Sequence, residues 1–284
     1  MKKIILYLFS KKIFFEIPQD QHNMVIYNDT IGKSILLDGF YEKQIINTIT
    51  NSFDFDSNSF NCIDVGSNIG NHIVQFSKSF KKCYGFEPQR RTFKILELNT
   101  EFLQNVEVFN FGLAKENKIV DFIIPKFHTG GGSNLNENLE YNSNYVESCK
   151  LKNFDDQFEI ECAFIKIDVE GSELDVLNSM KKTLLNHLPL ISIEMAGTEE
   201  EKSKILDFLS KIGYSNYFIP KVHFSEKYFK NESKIGLIFR YILKSLFPLK
   251  KTRLVKYSAT EIMSFDFIQL LTVSASKSKF QLKK

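Results

Sequence analysis

From about residue 60 onward, short apolar runs of strand type alternate with longer runs of helix type. The strand-type runs lie at 60–65, 83–87, 106–111, 163–169, 188–194, 214–219 and 265–273, and the helix-type runs at 70–80, 89–102, 172–186 and 199–212. Strands separated by helices form βαβ units, whose strands run parallel and whose helices cover both faces of one sheet. The alternation therefore predicts an α/β fold with a mostly parallel sheet.

The length of the chain, 284 residues, fits one large domain with additional segments. Residues 1–50 are expected to form an N-terminal cap, and residues 51–284 the main domain, in which 220–265 form a basic insertion before the last strand. A hairpin is expected through residues 118–124, after the third strand. The four cysteines form no CxxC pair, which favours buried free thiols over a disulfide or a zinc site.

Two acidic residues, Asp168 and Glu170, stand at the end of an apolar strand-type run. Carboxylates are rarely buried without a partner, and ligands of parallel α/β sheets bind beyond the carboxyl ends of the strands. We therefore predict that both residues face a ligand. Ser172 and Asp175 fit a capping box that starts the following helix.

A glycine-containing turn follows the first strand, in the stretch CIDVGSNIGNH. Asp64 ends the strand, and Gly66 and Gly70 flank a tight turn into a helix, where glycine lets the backbone approach a ligand closely. The spacing differs from the Gly-x-Gly-x-x-Gly of dinucleotide-binding folds. An acid ahead of the glycines would repel a diphosphate and attract an ammonium group, although the same residues also fit a plain strand-to-helix turn.

Glu87 ends the second strand in the stretch YGFEP, and Pro88 then favours the start of a helix. An acid at about this distance beyond the first glycine turn accepts hydrogen bonds from the two hydroxyls of a ribose. The alternative is an acid that only stabilises the helix start. Together the two motifs describe a pocket for an adenosine whose other end is cationic, which fits S-adenosylmethionine and does not fit NAD.

The order of these motifs resembles that of the FkbM family of S-adenosylmethionine-dependent methyltransferases. The stretch IKIDVEGSELDVL looks like the family signature, and the other shared pieces are, in order, Gly39-Phe40-Tyr41-Glu42, DVGSNIG, FEP, FGLAKEN, GGGSN and Ile193-Glu194. The resemblance implies the class I methyltransferase (Rossmann-like) three-layer fold, with a seven-stranded sheet whose last strand is antiparallel. It also implies S-adenosylmethionine as the cofactor, contacted by Glu42, Asp64, Gly66, Asn68, Gly70, Glu87 and Asp168.

The resemblance further implies methyl transfer to a hydroxyl, often on a sugar or polyketide. Asp168 and Glu170 are then expected to face the methyl end of the donor and the acceptor. His128, in a long polar loop, could act as a general base, because an unperturbed histidine titrates near neutral pH, or is simply a solvated loop residue. Asp168 with Glu170 or Glu194 could instead bind a divalent cation, but no histidine completes a ligand set, and we predict no metal.

Basic residues are concentrated towards the C-terminus, with eleven Lys and Arg and two acidic residues from Lys234 onward. Apolar residues in 235–251 recur at helical spacing, which fits either a core helix or peripheral contact of 235–256 with an anionic membrane. The N-terminal apolar run is too short for a signal peptide or a membrane span, so we expect a cytoplasmic protein, with peripheral membrane contact through the basic segment as the alternative. No motif for methylating nucleic-acid bases occurs, so no nucleic-acid partner is expected.

These features predict an S-adenosylmethionine-dependent O-methyltransferase that acts on a hydroxyl of a sugar, a polysaccharide or a secondary metabolite. Two rival interpretations are a nicotinamide-dependent oxidoreductase of similar topology and a non-catalytic relative that only binds a nucleotide. The glycine spacing disfavours the first, and the retained Asp64, Glu87 and Glu170 disfavour the second.

Overall fold

The computed structural model of the chain describes residues 35, 40–54, 56–125, 133–134, 144–195, 197–221, 253–265 and 268–274. The helices in these ranges are α1 (Lys43–Asn51), α2 (Asn71–Phe76), α3 (Arg90–Thr100), α4 (Glu173–Ser179), α5 (Lys181–His187), α6 (Glu199–Lys211) and α7 (Ala259–Met263). The strands are β1 (Asn61–Val65), β2 (Lys82–Phe86), β3 (Val106–Phe109), β4 (Gly112–Leu113), β5 (Lys118–Pro125), β6 (Ser133–Asn134), β7 (Asn144–Lys152), β8 (Cys162–Ile167), β9 (Leu190–Met195), β10 (Tyr214–Lys221), β11 (Arg253–Tyr257) and β12 (Ile268–Ser274).

Eight of the described strands form the central sheet, in the order β11-β10-β12-β9-β8-β1-β2-β3. Neighbouring strands from β3 to β9 are parallel, whereas β12 is antiparallel to both β9 and β10, and β11 is antiparallel to β10. The predicted fold, a mostly parallel sheet with an antiparallel last strand, is confirmed. The edge strand β11 adds one strand to the seven expected, because RLVKY has only two consecutive apolar residues and its pattern is too short to indicate a strand.

Helices cover both faces of this sheet, because successive residues of each strand point to opposite faces. Apolar residues of α1, α2 and α3 pack on one face in a buried cluster that includes Ile49, Phe76 and Phe164. Residues of α4, α5 and α6 pack on the other face, in a cluster that includes Ile165 and Leu209. Strand β8 is buried along its whole length, as expected for a central strand of a parallel sheet.

A second, four-stranded sheet has the order β4-β7-β5-β6 and follows β3 in the chain. Strand β5 pairs antiparallel with β7 from Lys118–Leu151 to Pro125–Asn144. The segment 118–124, where a hairpin was expected, is thus part of β5, which pairs with the later strand β7. Both strands lie outside the central sheet. Strand β4 pairs with β7, and this places the second sheet beside the carboxyl ends of β1 and β2.

The helix expected over 172–186 is divided into α4 and α5 at Met180. The capping box predicted for Ser172 and Asp175 is wrong, since the Ser172 side chain makes no capping hydrogen bond. The Asp175 carboxylate instead accepts hydrogen bonds from the backbone N–H of Lys115 and from Lys118 Nζ. A tertiary contact with the segment before β5 has thus taken the side chain that the local pattern assigned to the helix start.

All four cysteines are buried and free, as predicted. No helix within the described ranges has both the length and the apolar character needed to cross a lipid bilayer. The predictions made for residues 1–34, for Gly39, for loop residues 126–132 with His128, and for the amphipathic stretch 235–251 lie outside the described residues.

Helix α1 spans the boundary that the sequence suggested between residues 50 and 51. Its Ile46 and Ile49 belong to the same buried cluster as Phe76 of α2 and Leu190 of β9. The residues just before α1 reach the carboxyl edge of the central sheet, where they contribute to the cavity described next.

Candidate active site

A cavity with a volume of about 170 Å³ opens at the carboxyl ends of β1, β2, β8 and β9. One part of its wall is apolar and comes from β2, β4 and the second sheet. The other part is acidic and comes from the residues that follow β8 and end β9. The lining residues used below are Tyr41, Gly66, Asn68, Phe86, Glu87, Leu113, Leu151, Asp168, Glu170 and Glu194.

The turn after β1 brings three strand ends together at the floor of the cavity. Gly66 has φ +80°, and a Cβ atom there would lie 1.8 Å from the backbone oxygen of Asp168. The backbone N–H of Asp168 donates to the oxygen of Val65 at 3.0 Å, and the N–H of Gly66 donates to the oxygen of Phe86 at 2.9 Å. Only glycine fits this position, which is why the turn predicted from the sequence contains it.

Glu87 is buried and presents its carboxylate to the cavity from the end of β2. One carboxylate oxygen accepts the backbone N–H of Asn68 at 3.0 Å, and the other accepts that of Gln89 at 2.9 Å. Burial raises the pKa of Glu87 to about 7, although the two N–H groups act to lower it. Each oxygen keeps a further lone pair, so this carboxylate can still accept hydrogen bonds from a ligand.

Lys166 of β8 lies between two carboxylates on the face of the sheet covered by α1 to α3. Its Nζ is 2.9 Å from Asp168 Oδ2 and 3.7 Å from Asp64 Oδ1, with only 3% of the lysine side chain exposed. Burial alone would lower the pKa of Lys166, but the carboxylates of Asp168 and Asp64 raise it above its usual value. Burial alone would raise the pKa of Asp168, but Lys166 lowers it. Lys166 and Asp168 therefore form a charged pair.

The Asp64 carboxylate is fully buried beside Lys166 and is not part of the cavity wall. It accepts no hydrogen bond within the described part of the chain. Its close neighbour is the Lys166 ammonium, so the structure places Asp64 where it balances a buried lysine. The ligand contact that the sequence analysis assigned to Asp64 stays a prediction.

The segment before α1 is fastened to α2 next to the acidic end of the cavity. The backbone N–H of Tyr41 donates to Asn71 Oδ1 at 3.0 Å, and Asn71 Nδ2 donates to the Tyr41 oxygen at 2.9 Å. Glu42 Oε2 lies 3.3 Å from His72 Nε2. Tyr41 itself lines the cavity, which explains how a motif far upstream of β1 reaches the site.

Glu170 and Glu194 complete the acidic end. Glu170 has φ +54° and is exposed, yet its partial burial and the nearby Asp168 carboxylate raise its pKa. Glu194 is half-buried at the end of β9, and its burial together with the Asp168 charge raises its pKa to about 8. Asp168, Glu170 and Glu194 thus face one space with different protonation equilibria.

Of the predicted site residues, the cavity wall contains Gly66, Asn68, Glu87, Asp168 and Glu170. Glu42 lies next to the wall through its contact with His72, and Gly70, with φ +96°, forms the start of α2 below it. The contacts of these residues with the methyl donor and the acceptor stay predictions.

Sequence reasoning gave no role to Lys166 or His72. For Lys166 the sequence did contain a signal, because a lysine inside an apolar strand needs a partner of opposite charge when it is buried. In the structure, the strand register pairs it with Asp64 of β1. For His72 no local pattern points to Glu42, since 30 residues separate them. Within the described ranges, no group of three or more His, Cys, Asp or Glu side chains could hold a metal ion.

Comparison with known proteins identifies the family. The sequence profile described as "Methyltransferase FkbM domain" matches residues 64–215, more than half of the chain. Among solved structures, a Methyltransferase FkbM from Methylobacillus flagellatus is similar over 55% of this chain, with 20% identity and a TM-score of 0.37. The match spans 37% of the Methylobacillus chain, so this chain covers about a third of that relative.

Two further solved structures are similar over most of the chain. A precorrin-6y C5,15-methyltransferase from Geobacter metallireducens has 9% identity and a TM-score of 0.41, over 83% of this chain and 94% of its own. A Streptococcus mutans protein described as a methyltransferase, in complex with SAH, has 11% identity and a TM-score of 0.44, over 83% of this chain and 100% of its own. No curated protein matches the chain. By the family match over residues 64–215, the chain belongs to the FkbM family of methyltransferases.

Proposed function

We propose that this protein is an S-adenosylmethionine-dependent O-methyltransferase whose acceptor is a hydroxyl of a sugar, a polysaccharide or a secondary metabolite. The observation that carries the proposal is the buried Glu87 carboxylate, which faces the cavity between an apolar wall and an acidic end. Family membership supports methyl transfer. The hydroxyl acceptor rests on the resemblance of the signature around Asp168.

The residues of the cavity wall match each chemical group of the donor. Glu87 has lone pairs for two ribose hydroxyls, and Phe86, Leu113 and Leu151 give an apolar surface suited to a purine. Glu170 and Glu194 lie on the acidic side, where a sulfonium or ammonium group would be stabilised. No Lys, Arg or His side chain lines the described cavity wall, so a nicotinamide cofactor with its diphosphate is disfavoured.

When bound, S-adenosylmethionine supplies a methyl group on a positively charged sulfur. The protein's own contribution is to hold donor and acceptor in line and to exclude water, which accounts for much of the rate increase in reactions of this kind. Asp168 is held in place by Lys166 at 2.9 Å, so its charge has a fixed position at the end of the cavity. This fixed negative charge favours a cationic donor over its neutral product.

Donor binding by a Glu87 variant tests the proposal. Calorimetric titration with S-adenosylhomocysteine should show binding to the wild type, and Glu87→Gln should weaken it by about 1.5–3 kcal/mol, the range for a hydrogen bond to a charged group. NADH should not bind. Glu97→Gln, an exposed glutamate of α3, is the matched control and should bind like the wild type.

The Glu87 variant must also remain folded, because its carboxylate holds the N–H groups of Asn68 and Gln89. Its thermal unfolding is therefore measured alongside. A folded Glu87→Gln protein with unchanged affinity would remove Glu87 from the ribose role. Binding of NADH in place of S-adenosylhomocysteine would refute the donor itself.

A further inference from the structure

We infer that Glu194 is the residue that takes the proton from the acceptor hydroxyl, a role that rests on the proposed methyl transfer to oxygen. Glu194 is the last residue but one of β9 and lines the cavity together with Asp168 and Glu170. It therefore faces the acidic end, where donor and acceptor are expected to meet.

The register of the sheet places Glu194 beside Asp168. Strands β8 and β9 run parallel, with Lys166 opposite Ser192 and Ile167 opposite Ile193. One residue further along each strand, Asp168 and Glu194 lie on the same face of the sheet as Lys166. Neighbouring strands are about 4.8 Å apart, so the two carboxylates border the same space from adjacent strand ends.

The two carboxylates differ in their partners. Asp168 Oδ2 lies 2.9 Å from Lys166 Nζ, and Asp64 Oδ1 lies 3.7 Å from the same nitrogen. The Glu194 carboxylate receives no hydrogen bond and no ion pair from the residues that the structure describes. An ion-paired carboxylate is a poor proton acceptor, because protonation would leave the buried Lys166 partly uncompensated. Of these two neighbouring carboxylates, Glu194 is therefore the one that is free to accept a proton.

The charged groups around Glu194 support this division. Burial raises the pKa of Glu194 to about 8, and Asp168, Glu42 and Glu170 act in the same direction, whereas Lys166 opposes them. A general base is most effective when its pKa lies near the working pH. Lys166 lowers the pKa of Asp168 and so keeps that residue ionised. Two neighbouring carboxylates whose surroundings separate their pKa values take different roles.

The step balances within the cavity. The acceptor oxygen forms a bond to the methyl carbon as the carbon–sulfur bond breaks, and the electron pair of that bond stays on sulfur, which becomes neutral. The hydroxyl proton passes to a Glu194 carboxylate oxygen and is later released to water. No oxidant, reductant or metal is needed.

Placement of Glu194 near the transferring group can be tested without an acceptor. Sinefungin is an S-adenosylmethionine analogue that carries an amine where the donor carries its methyl group. The ratio of sinefungin to S-adenosylhomocysteine affinity should fall at least fivefold in Glu194→Gln. Glu170→Gln should keep more of the ratio, because Glu170 is more exposed to solvent than Glu194. Glu200→Gln, a surface glutamate paired with Lys204, should match the wild type.

The catalytic role is tested by the turnover rate, measured as formation of S-adenosylhomocysteine. A panel of methyl glycosides is screened first, and the one that the wild type converts fastest serves as the acceptor. A general base contributes about 10²–10⁴-fold, so Glu194→Gln should lower turnover at least about a hundredfold. Wild-type turnover should rise with pH as Glu194 loses its proton, and Glu194→Gln should lose this rise. Glu194→Asp should recover part of the rate, which a purely structural role would not predict.

An unchanged sinefungin ratio in Glu194→Gln, or a turnover like that of the wild type, would overturn the inference. Those results would leave the donor assignment intact, because the wild type would still bind S-adenosylhomocysteine. Failure of the wild type to bind S-adenosylhomocysteine would instead refute the proposed function, and the inference with it.

Discussion

Lys166 is the residue whose surroundings most depend on long-range contacts. A strand lysine with 3% of its side chain exposed can remain charged only because Asp168 and Asp64 lie beside it. Neither carboxylate is explained by local structure. The signature residues therefore act as a group, in which one positive charge stabilises two negative ones at the edge of the cavity.

Removing this lysine should strongly destabilise the protein. Lys166→Met keeps the length of the side chain but leaves Asp64 buried without its positive partner, a change that costs about 3–5 kcal/mol in comparable buried pairs. Lys82→Met is the matched control, since Lys82 also lies in a strand and contacts Glu107 at 2.7 Å, but with 40% of its side chain exposed. The control should cost less than about 1 kcal/mol.

The free energy of unfolding from urea titrations distinguishes the two variants. Equal losses in Lys166→Met and Lys82→Met would contradict the buried-pair interpretation. The double variant Lys166→Met with Asp64→Asn should be more stable than Lys166→Met alone, because it also removes the uncompensated charge.

Site residues could be predicted from the sequence where a backbone requirement marks them. Gly66 is an example, since its φ of +80° and the close approach of the Asp168 oxygen leave room for no side chain. Glu87 could be found from its place after a strand. The Glu42–His72 contact and the burial of Asp64 away from the cavity could not be found, because both depend on how distant segments pack.

At the scale of elements, the helices show where local patterns suffice and where they do not. The periodicity of 199–212 gives α6 almost to the residue, and Thr198 forms a complete capping box with Glu201. Ser172 and Asp175 show the same spacing but form no box. The difference is tertiary, since Asp175 contacts Lys118 at the start of β5.

Substitution of the two cap residues should therefore give unequal effects. Thr198→Ala removes a side chain that accepts the N–H of Glu201, and loss of such a cap costs typically about 1 kcal/mol. Ser172→Ala removes no capping hydrogen bond and should change the free energy of unfolding by less than about 0.5 kcal/mol. Chemical denaturation of both variants provides the measurement, and a larger loss for Ser172→Ala would contradict the observed helix start.

At the scale of the whole molecule, the order of strands and helices could be predicted from the alternation of patterns alone. The second sheet could not, because the partner of β5 is a strand that begins beyond a long connection. Strand β11 was missed as well, since its pairing with β10 depends on a chain reversal that short-range patterns do not encode. Non-local pairing therefore contributes to both differences, and for β11 the short apolar pattern of RLVKY adds to it.

The distribution of charge over the molecule leads to the last prediction. We propose that the basic segment 235–256 attaches the enzyme reversibly to anionic membranes, where a lipid-linked acceptor would be within reach. The eleven basic and two acidic residues from Lys234 onward support this, as does the helical spacing of apolar residues in 235–251. Each basic residue near an anionic surface contributes about 1 kcal/mol, so a cluster of several suffices for reversible binding.

Flotation with phosphatidylserine-containing vesicles at low and moderate salt measures this attachment. The wild type should float at low salt and less at moderate salt, since surface charges are screened. The variant with Lys250, Lys251 and Arg253 changed to Glu should stay in solution. A variant with the same change of net charge elsewhere, at the exposed Lys81, Lys94 and Lys211, should still float, because only the clustered charges act together with the neighbouring apolar residues. Absence of flotation by the wild type at low salt would refute membrane attachment and favour the alternative of a helix packed on the catalytic domain.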